Sequence, residues 1–431
     1  MGQIIGVVAD DTTGANDIGI MFSNKGYKAK VQIFEEEMNV KGVKGDADVV
    51  IVDTDSRLDL DNLSYQKVYG ATEKLQGTGC SMFFKKTCSV FRGNIGKEFD
   101  AMLDALGEEF AVISLAFPKN GRTTIGGMHT VYGQPLEYSA FANDPVHPMK
   151  ESDLVSILQK QTLRKVTFVD LSIVRQGATV LRRTIEEIKK HFNYCIIDSE
   201  TQSDLTIVAE AIHDYKILGG SSAIAEELPK FLGKRSTHNL VTDLNIEDQN
   251  GVLVVSGSLT PQTRAQTAHL ISSGVPCKVF DSRKVFSPVE YDKEVMRVSL
   301  ESQKLLIQGE DVLIMADNNK DIILETKEMG KKLEIDPLSI SKMVSAAISD
   351  ITKVIVDQVD LKRLIVAGGD TAGTVSRKLD IKGNYVLKEI ETGLPSGLAI
   401  GRHMLIVLKS GSFGGEEFLS LAIKHLKNLS R

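Results

Sequence analysis

Four clusters in this 431-residue chain combine residue types and spacing that could do chemistry. The first is Ala9-Asp10-Asp11-Thr12-Thr13-Gly14-Ala15-Asn16-Asp17, directly after an apolar run at residues 4–9. The adjacent carboxylates Asp10 and Asp11 could hold a metal, orient a hydroxyl or accept its proton. Asp11 or Thr12 could also simply cap a following helix, but a cap needs one such residue and several stand together before Gly14. The second cluster, Asp53-Thr54-Asp55-Ser56-Arg57, also follows an apolar run. Arg57 could grip a ligand carboxylate with both arms of its guanidinium, or pair with its own aspartates in a surface turn. The third runs from Lys85 to Asn94 and brings Lys85, Lys86, Thr87, Cys88 and Ser89 together. Two cations and two hydroxyls suit an anionic ligand, although a solvated basic turn has the same composition. No histidine is near Cys88 in sequence, so it reads as an ordinary thiol.

The fourth cluster is a set of three Gly-rich turns. Val255-Ser256-Gly257-Ser258-Leu259-Thr260-Pro261, Ala367-Gly368-Gly369-Asp370-Thr371-Ala372-Gly373 and Lys409-Ser410-Gly411-Ser412-Phe413-Gly414-Gly415 each follow an apolar run and open a helical stretch. Glycine lets backbone N–H groups approach phosphates, and a helix N-terminus favours the anion. One such turn is weak evidence; three in one region point to a nucleotide. The chain has no GxxxxGK[ST], no GxGxxG opening a strand–helix unit, no HExxH and no GxSxG. Its eight histidines form no ligand-spaced pair, and no metal ligands are expected from the protein. His129 and His147 fall in a long punctuated segment, where they could touch substrate.

The elements that position these clusters alternate. Apolar runs at 4–9, 31–34, 49–52, 82–84, 110–115, 166–169, 194–197, 252–255, 278–280, 312–315, 364–367 and 404–408 alternate with amphipathic stretches. Continuous Val/Ile-rich runs suit strands covered on both faces, so the expected class is α/β. Two Rossmann-like α/β domains with a cleft between them are expected: residues 1–235 binding a small polar anion and residues 245–431 binding a nucleotide. The polar stretches at 234–239 and 245–251 mark the boundary. Residues 117–150 carry four glycines and four prolines and are too punctuated for a helix. Long structured loops are usually functional. Residues 416–429 read as an amphipathic closing helix.

Composition narrows the class further. Lys and Arg total 51 against 57 for Asp and Glu, a net charge of −6, which argues against a general nucleic-acid binder. Cys80, Cys88, Cys195 and Cys277 are scattered, as in a reduced, cytoplasmic protein. The first residues read as a strand and not as a signal peptide, and no apolar run approaches the roughly 20 residues a bilayer span needs. No membrane association is expected. Nothing in the sequence fixes an oligomeric state; a homodimer is the working expectation.

The segment ADDTTGAND at 9–17 resembles the ADDxTGAxD opening of the four-carbon acid sugar kinase family. The resemblance continues through TDSR at 54–57, KTCSVFRGN at 86–94, AFPKNGRTTIGG at 116–127 and DPVHPM at 144–149. It runs on through SGSLTPQT at 256–263, AGGDTAG at 367–373, ETGLPSG at 391–397 and KSGSFGG at 409–415. It implies an ATP- and Mg²⁺-dependent kinase acting on the 4-hydroxyl of D-threonate or D-erythronate. A 3-oxo-tetronate 4-kinase is the alternative, and a sugar-acid dehydrogenase or a nucleotide sensor are remoter ones. It also implies substrate contacts at Asp11, Arg57, Lys86, Thr87, Cys88 and Ser89, with Asp10 or Asp11 as the proton acceptor. Nucleotide contacts would be Ser258, Gly368, Gly369, Asp370, Thr371, Gly411 and Gly414. Many members carry KxDST before RGN; here Cys88 stands in place of the Asp and Val90 in place of the Thr.

Overall fold

The computed structural model describes residues 4–38, 47–144, 146–233, 244 and 246–430. The chain divides into two compact units, Met1–His238 and Asn239–Arg431. The polar stretch 234–239, expected at the domain boundary, lies outside the described residues, as does Asn245.

The first unit is built on an all-parallel sheet. Its strands are β1 (Ile4–Ala9), β2 (Ala29–Ile33), β3 (Val49–Asp53), β4 (Cys80–Lys86), β5 (Ala111–Ser114), β9 (Val166–Val169), β10 (Tyr194–Ile197) and β11 (Ile217–Gly220), in the order β2-β3-β1-β4-β11-β5-β10-β9. The segment 117–150 contributes a separate antiparallel ribbon, β6 (Arg122–Ile125), β7 (Met128–Val131) and β8 (Gln134–Pro135). Side chains alternate across the strands, so Val50, Val52 and Phe83 face one core together with Val68 and Leu75 of the Asp61–Gln76 helix and Phe99 and Met102 of the Ile95–Leu106 helix. The sequence reading missed β11 and the ribbon. β11 ends in Gly219-Gly220, which strand propensity disfavours. The ribbon turns at Gly126-Gly127, both with positive φ, the geometry of a two-residue hairpin loop.

The second unit starts the same way. Its parallel strands β12 (Leu253–Ser256), β13 (Cys277–Phe280), β14 (Val312–Ala316), β15 (Arg363–Ala367) and β18 (Leu405–Lys409) lie in the order β13-β14-β12-β15-β18. An antiparallel pair, β16 (Gly383–Glu391) and β17 (Leu394–Ile400), joins through β17 to β18. The sequence reading did not anticipate this hairpin, whose turn is the Thr392-Gly393 step inside ETGLPSG. Successive residues of one strand serve two cores. Leu253 and Val255 face the Pro288–Ile307 and Pro337–Val359 helices, while Val252 and Val254 face Leu270 and the closing Phe418–Leu429 helix. Three helices of this unit open with Pro at the first helical position behind Thr260, Ser287 or Asp336, whose side chains accept a first-turn N–H. Among the described residues no helix is long and apolar enough to cross a membrane.

Candidate functional site

In the first unit, the order β3-β1-β4 places the chain's reversal of direction at β1, and an open parallel sheet binds ligands beyond strand ends at such a point. Asp10 directly follows β1, and Asp53 and Lys86 end β3 and β4, so three of the four sequence clusters converge there. Backbone bonds lock them: Thr54 N–H donates to the Ala9 carbonyl at 2.9 Å, and Ser56 N–H to that of Asp10 at 3.0 Å.

Arg57 is the centre of the cluster. Its Nε and Nη2 donate to Asp10 Oδ2 and Oδ1 at 2.8 and 2.9 Å, and Nη1 donates to Asp11 Oδ2 at 2.5 Å. Asp10 is fully buried. Burial alone would raise its pKa, but Arg57, Lys85 and Lys86 hold it at about 2. Asp11 also caps the Thr12–Ser23 helix, accepting from Gly14 N–H at 2.7 Å and the Thr13 hydroxyl at 3.0 Å. The capping reading therefore holds for Asp11, whose carboxylate also pairs with Arg57.

The two lysines of the third cluster separate, because β4 sends successive side chains to opposite faces. Lys85 is buried against Glu98, 2.8 Å away, which in turn accepts from Ser56 at 2.5 Å. The expectation that both cations face a ligand fails for Lys85. Lys86 turns to the helix side, with Nζ donating to the Thr87 carbonyl at 2.9 Å and lying 3.7 Å from Asp17. Burial raises Asp17 to about 6 against the opposing pull of Lys86 and Ser222. Asp53, which accepts from the Thr12 hydroxyl at 2.5 Å, is raised to about 7 by burial and by Asp55. Thr87 is buried and its N–H donates to the Gly220 carbonyl at 2.9 Å; Ser89 is partly exposed.

Cys88 lies beside Arg92, whose Nε is 3.4 Å from the thiol sulfur. Burial would raise the thiol pKa, and Arg92 and Arg57 together bring it below the ordinary value. Gly93 (φ 107) packs under Arg57, where a Cβ would come within 3.1 Å of its Cγ, and Asn94 donates to the carbonyl of Asp59 at 2.8 Å. The RGN triplet is thus the floor of the Arg57 turn. Asp55 and Phe91 hold left-handed φ values of 46° and 57°, a strain that clusters at functional turns. Sequence reasoning missed Asp53 and Asp17 as titrating groups, Glu98 as the partner of Lys85, and Arg92 beside the thiol. The period-two alternation of β4 was the one signal that could have separated the lysines.

In the second unit the three Gly-rich turns come together beyond adjacent strands β12, β15 and β18. A Cβ on Gly257 would lie 2.0 Å from the Thr371 hydroxyl, one on Gly368 3.3 Å from Ser258, and one on Gly411 2.5 Å from the Ser258 hydroxyl. Gly368 (φ 127) caps the Gly369–Lys378 helix; Thr371 is buried in its first turn and Asp370 is exposed. The Gly411 carbonyl accepts from the hydroxyls of Thr260 and Thr263 at 2.5 and 2.8 Å. Gln266 holds the carbonyls of Phe413, Gly414 and Gly415 at 2.9–3.1 Å, which fixes Gly414. The sequence did not single out Gln266 or the buried Lys409. Lys409 Nζ donates to Ser410 O at 2.6 Å and Thr263 Oγ1 at 3.1 Å, and burial lowers it to about 7 against the pull of Glu391. Backbone approach, two helix N-termini and a ring of hydroxyls are the features that can cradle a phosphate. Among the described residues no group of three or more His, Cys, Asp or Glu could hold a metal ion.

Comparison with known proteins agrees with this division. Residues 5–228 match the family described as a sugar-binding N-terminal domain, and residues 253–419 the one described as a nucleotide-binding C-terminal domain. The chain is 30% identical over 432 residues to a 3-oxo-tetronate kinase of Pseudomonas savastanoi, covering 98% of this chain and 97% of that protein. It is 29% identical over 441 residues to a D-erythronate kinase of Heliobacterium modesticaldum, covering 97% and 96%. Its fold matches a crystal structure from Salmonella typhimurium with a TM-score of 0.83 at 24% identity, over 98% of this chain and 99% of that one. A Haemophilus influenzae structure matches with a TM-score of 0.73 at 25% identity, over 98% and 100%.

Proposed function

The chain belongs to the four-carbon acid sugar kinase family, and on that footing we propose that it transfers the terminal phosphoryl group of ATP to the 4-hydroxyl of a four-carbon sugar acid. The first unit takes the acid and the second the nucleotide. The observation that carries this is the convergence of Asp10, Asp11, Arg57 and Lys86 at the ends of three adjacent strands. D-threonate, D-erythronate and 3-oxo-tetronates are the candidate acceptors; the last two give the relatives their names.

Phosphoryl transfer asks mainly for positioning and charge stabilisation. Asp10, with both oxygens held by Arg57 and a pKa of about 2, is a weak base and anchors the guanidinium. Asp11 has the more accessible carboxylate, 12% exposed against 1% for Asp10, and is the group we assign to orient the hydroxyl and accept its proton. Lys86 and the 87–89 turn supply donors for the acid's carboxylate and hydroxyls. In the second unit Ser258, Gly368, Gly369, Thr371, Gly411 and Gly414 line the phosphate cradle. Asp370, exposed at the start of the same helix, is left for the nucleotide's outer contacts. Mg²⁺ would be held by the phosphate oxygens and water and would neutralise their charge.

The test is coupled ADP release with ATP, Mg²⁺ and the D- and L-forms of threonate and erythronate together with 3-oxo-tetronates. Turnover of one acid names the acceptor. ATP binding with no turnover across the panel would overturn the acid assignment and leave a nucleotide-binding protein of another kind.

A further inference from the structure

The two histidines of segment 117–150 each direct Nε2 at a backbone carbonyl of a turn assigned above to the sugar acid. His147 Nε2 donates to the Arg57 carbonyl at 2.8 Å. His129 Nε2 lies 2.9 Å from the Ser89 carbonyl. A carbonyl can only accept, so Nε2 of His129 carries the proton, and Nδ1 must accept from the Thr124 hydroxyl 3.0 Å away. His129 is wholly buried, and burial pushes its pKa down to about 3, so the ring stays neutral and keeps this donor–acceptor order.

A third strut comes from Asp144. Its Oδ2 accepts from Arg92 Nη1 at 2.6 Å, while its Oδ1 accepts the N–H groups of Val146 and His147 at 3.1 and 2.8 Å. One carboxylate therefore holds Arg92 and shapes the turn that presents His147. Arg92 is steadied further by the Phe141 ring, 5.1 Å from its guanidinium carbon. The far side of the segment is fixed independently of the site. Asp198, at the end of β10, accepts the N–H groups of Gly126 and Gly127 at 2.5 and 3.0 Å, and Thr124 exchanges backbone bonds with Ser199.

We propose that residues 117–144 and 146–150 form a brace, in which His129, His147 and Asp144 are positioning residues that set Ser89, Arg57 and Arg92 for recognition of the acid. Its functional half rests on the kinase reading above; its structural half does not. The brace explains why DPVHPM carries an Asp and a His three apart: one side chain folds the turn and the other reaches Arg57. It also makes acid affinity depend on groups that never touch the acid.

The experiment compares His147→Ala with His147→Gln, whose amide can still donate, and His129→Gln with His129→Ala. Two readouts are taken on the full chain. Steady-state kinetics should show His147→Ala raising KM for the acid about tenfold, with ATP affinity unchanged and His147→Gln recovering most of the loss. Hydrogen exchange should quicken in residues 53–59 for His147→Ala and in 86–94 for the His129 variants, while residues 253–419 stay as in the wild type. If His129→Ala fails to fold, His129→Gln and the partly exposed His147 carry the test. Unchanged exchange at both turns overturns the brace whatever the enzyme acts on. Unchanged KM with quickened exchange overturns its role in acid recognition. A wild type that turns over no acid sinks the kinase reading, and exchange still decides the brace.

Discussion

The two units solve the same topological problem with opposite chemistry. Each opens with a strand that ends at the reversal of its own sheet, β1 in β2-β3-β1-β4 and β12 in β13-β14-β12-β15. Each puts its candidate site beyond that strand and the next one across. The first unit fills the position with charged side chains clasping one another: Arg57 on Asp10 and Asp11, Lys85 on Glu98, Lys86 by Asp17. The second fills it with glycines, hydroxyls and bare backbone, and Lys409, buried there, has its pKa lowered to about 7. A small acid with several hydroxyls must be read group by group, which needs fixed side chains. A polyphosphate presents many equivalent oxygens, and backbone N–H groups at helix ends match it without committing a full charge.

Breaking the first arrangement should have the largest effect. Arg57→Ala leaves Asp10 buried with its main compensating charge gone. Loss of one partner from such a pair costs about 3–5 kcal/mol. Denaturant unfolding should show that loss, and turnover of the acid should fall more than about a hundredfold. Arg57→Lys should recover part of the stability and little of the activity, since an ammonium cannot span Asp10 and Asp11 as the guanidinium fork does. A stable, active Arg57→Ala enzyme would mean that the charged cluster is surface decoration.

The equivalent insult in the second unit is one carbon atom. Gly257→Ala drives a Cβ toward the Thr371 hydroxyl, 2.0 Å away in the present packing, and forces the turns after β12 and β15 apart. Overpacking of this kind costs about 1–3 kcal/mol, so ATP affinity should fall about tenfold or more, measured by titration calorimetry, with acid binding intact. Equal losses for both ligands would erase the contrast between the units.

How far the sequence revealed these sites follows from the same contrast. Clusters that lie next to one another in sequence and follow apolar runs were legible, because a strand end imposes both features. So were the α/β class and the closing helix, now Phe418–Leu429. What stayed hidden depends on distant pairings. Glu98 under Lys85, Asp144 on Arg92 and Gln266 on the 413–415 carbonyls join residues 13 to 149 positions apart. The β16–β17 hairpin was hidden for another reason: β16 is only partly buried and carries charged residues, while β17 holds Pro395, Ser396 and Gly397, which blurs the period of two. The sequence leaves open that His129 and His147 touch substrate; the carbonyl partners of their Nε2 atoms are visible only in the fold.

The remaining test separates the units by the sign of a pH slope. Asp53 titrates at about 7 in the folded chain against an ordinary 3.8, because burial and Asp55 disfavour its charge. Between those values the folded state keeps a proton that the unfolded state has lost, so this group makes stability fall as pH rises from about 4 to 7. Lys409 titrates at about 7 against an ordinary 10.5, through burial opposed by Glu391. Between those values the unfolded state holds the proton that the folded state lacks, so stability rises with pH from about 7 upward. Other carboxylates contribute slopes of their own, and the informative quantity is wild type minus variant. In denaturant unfolding from about pH 4 to 10, Asp53→Asn should remove a falling component below about 7 and leave the alkaline limb alone. Lys409→Met should remove a rising component above about 7 and leave the acid limb alone. Slopes of one sign from both variants would show that the two switch points share one electrostatic character after all, and the division into a charged site and a neutral cradle would not stand.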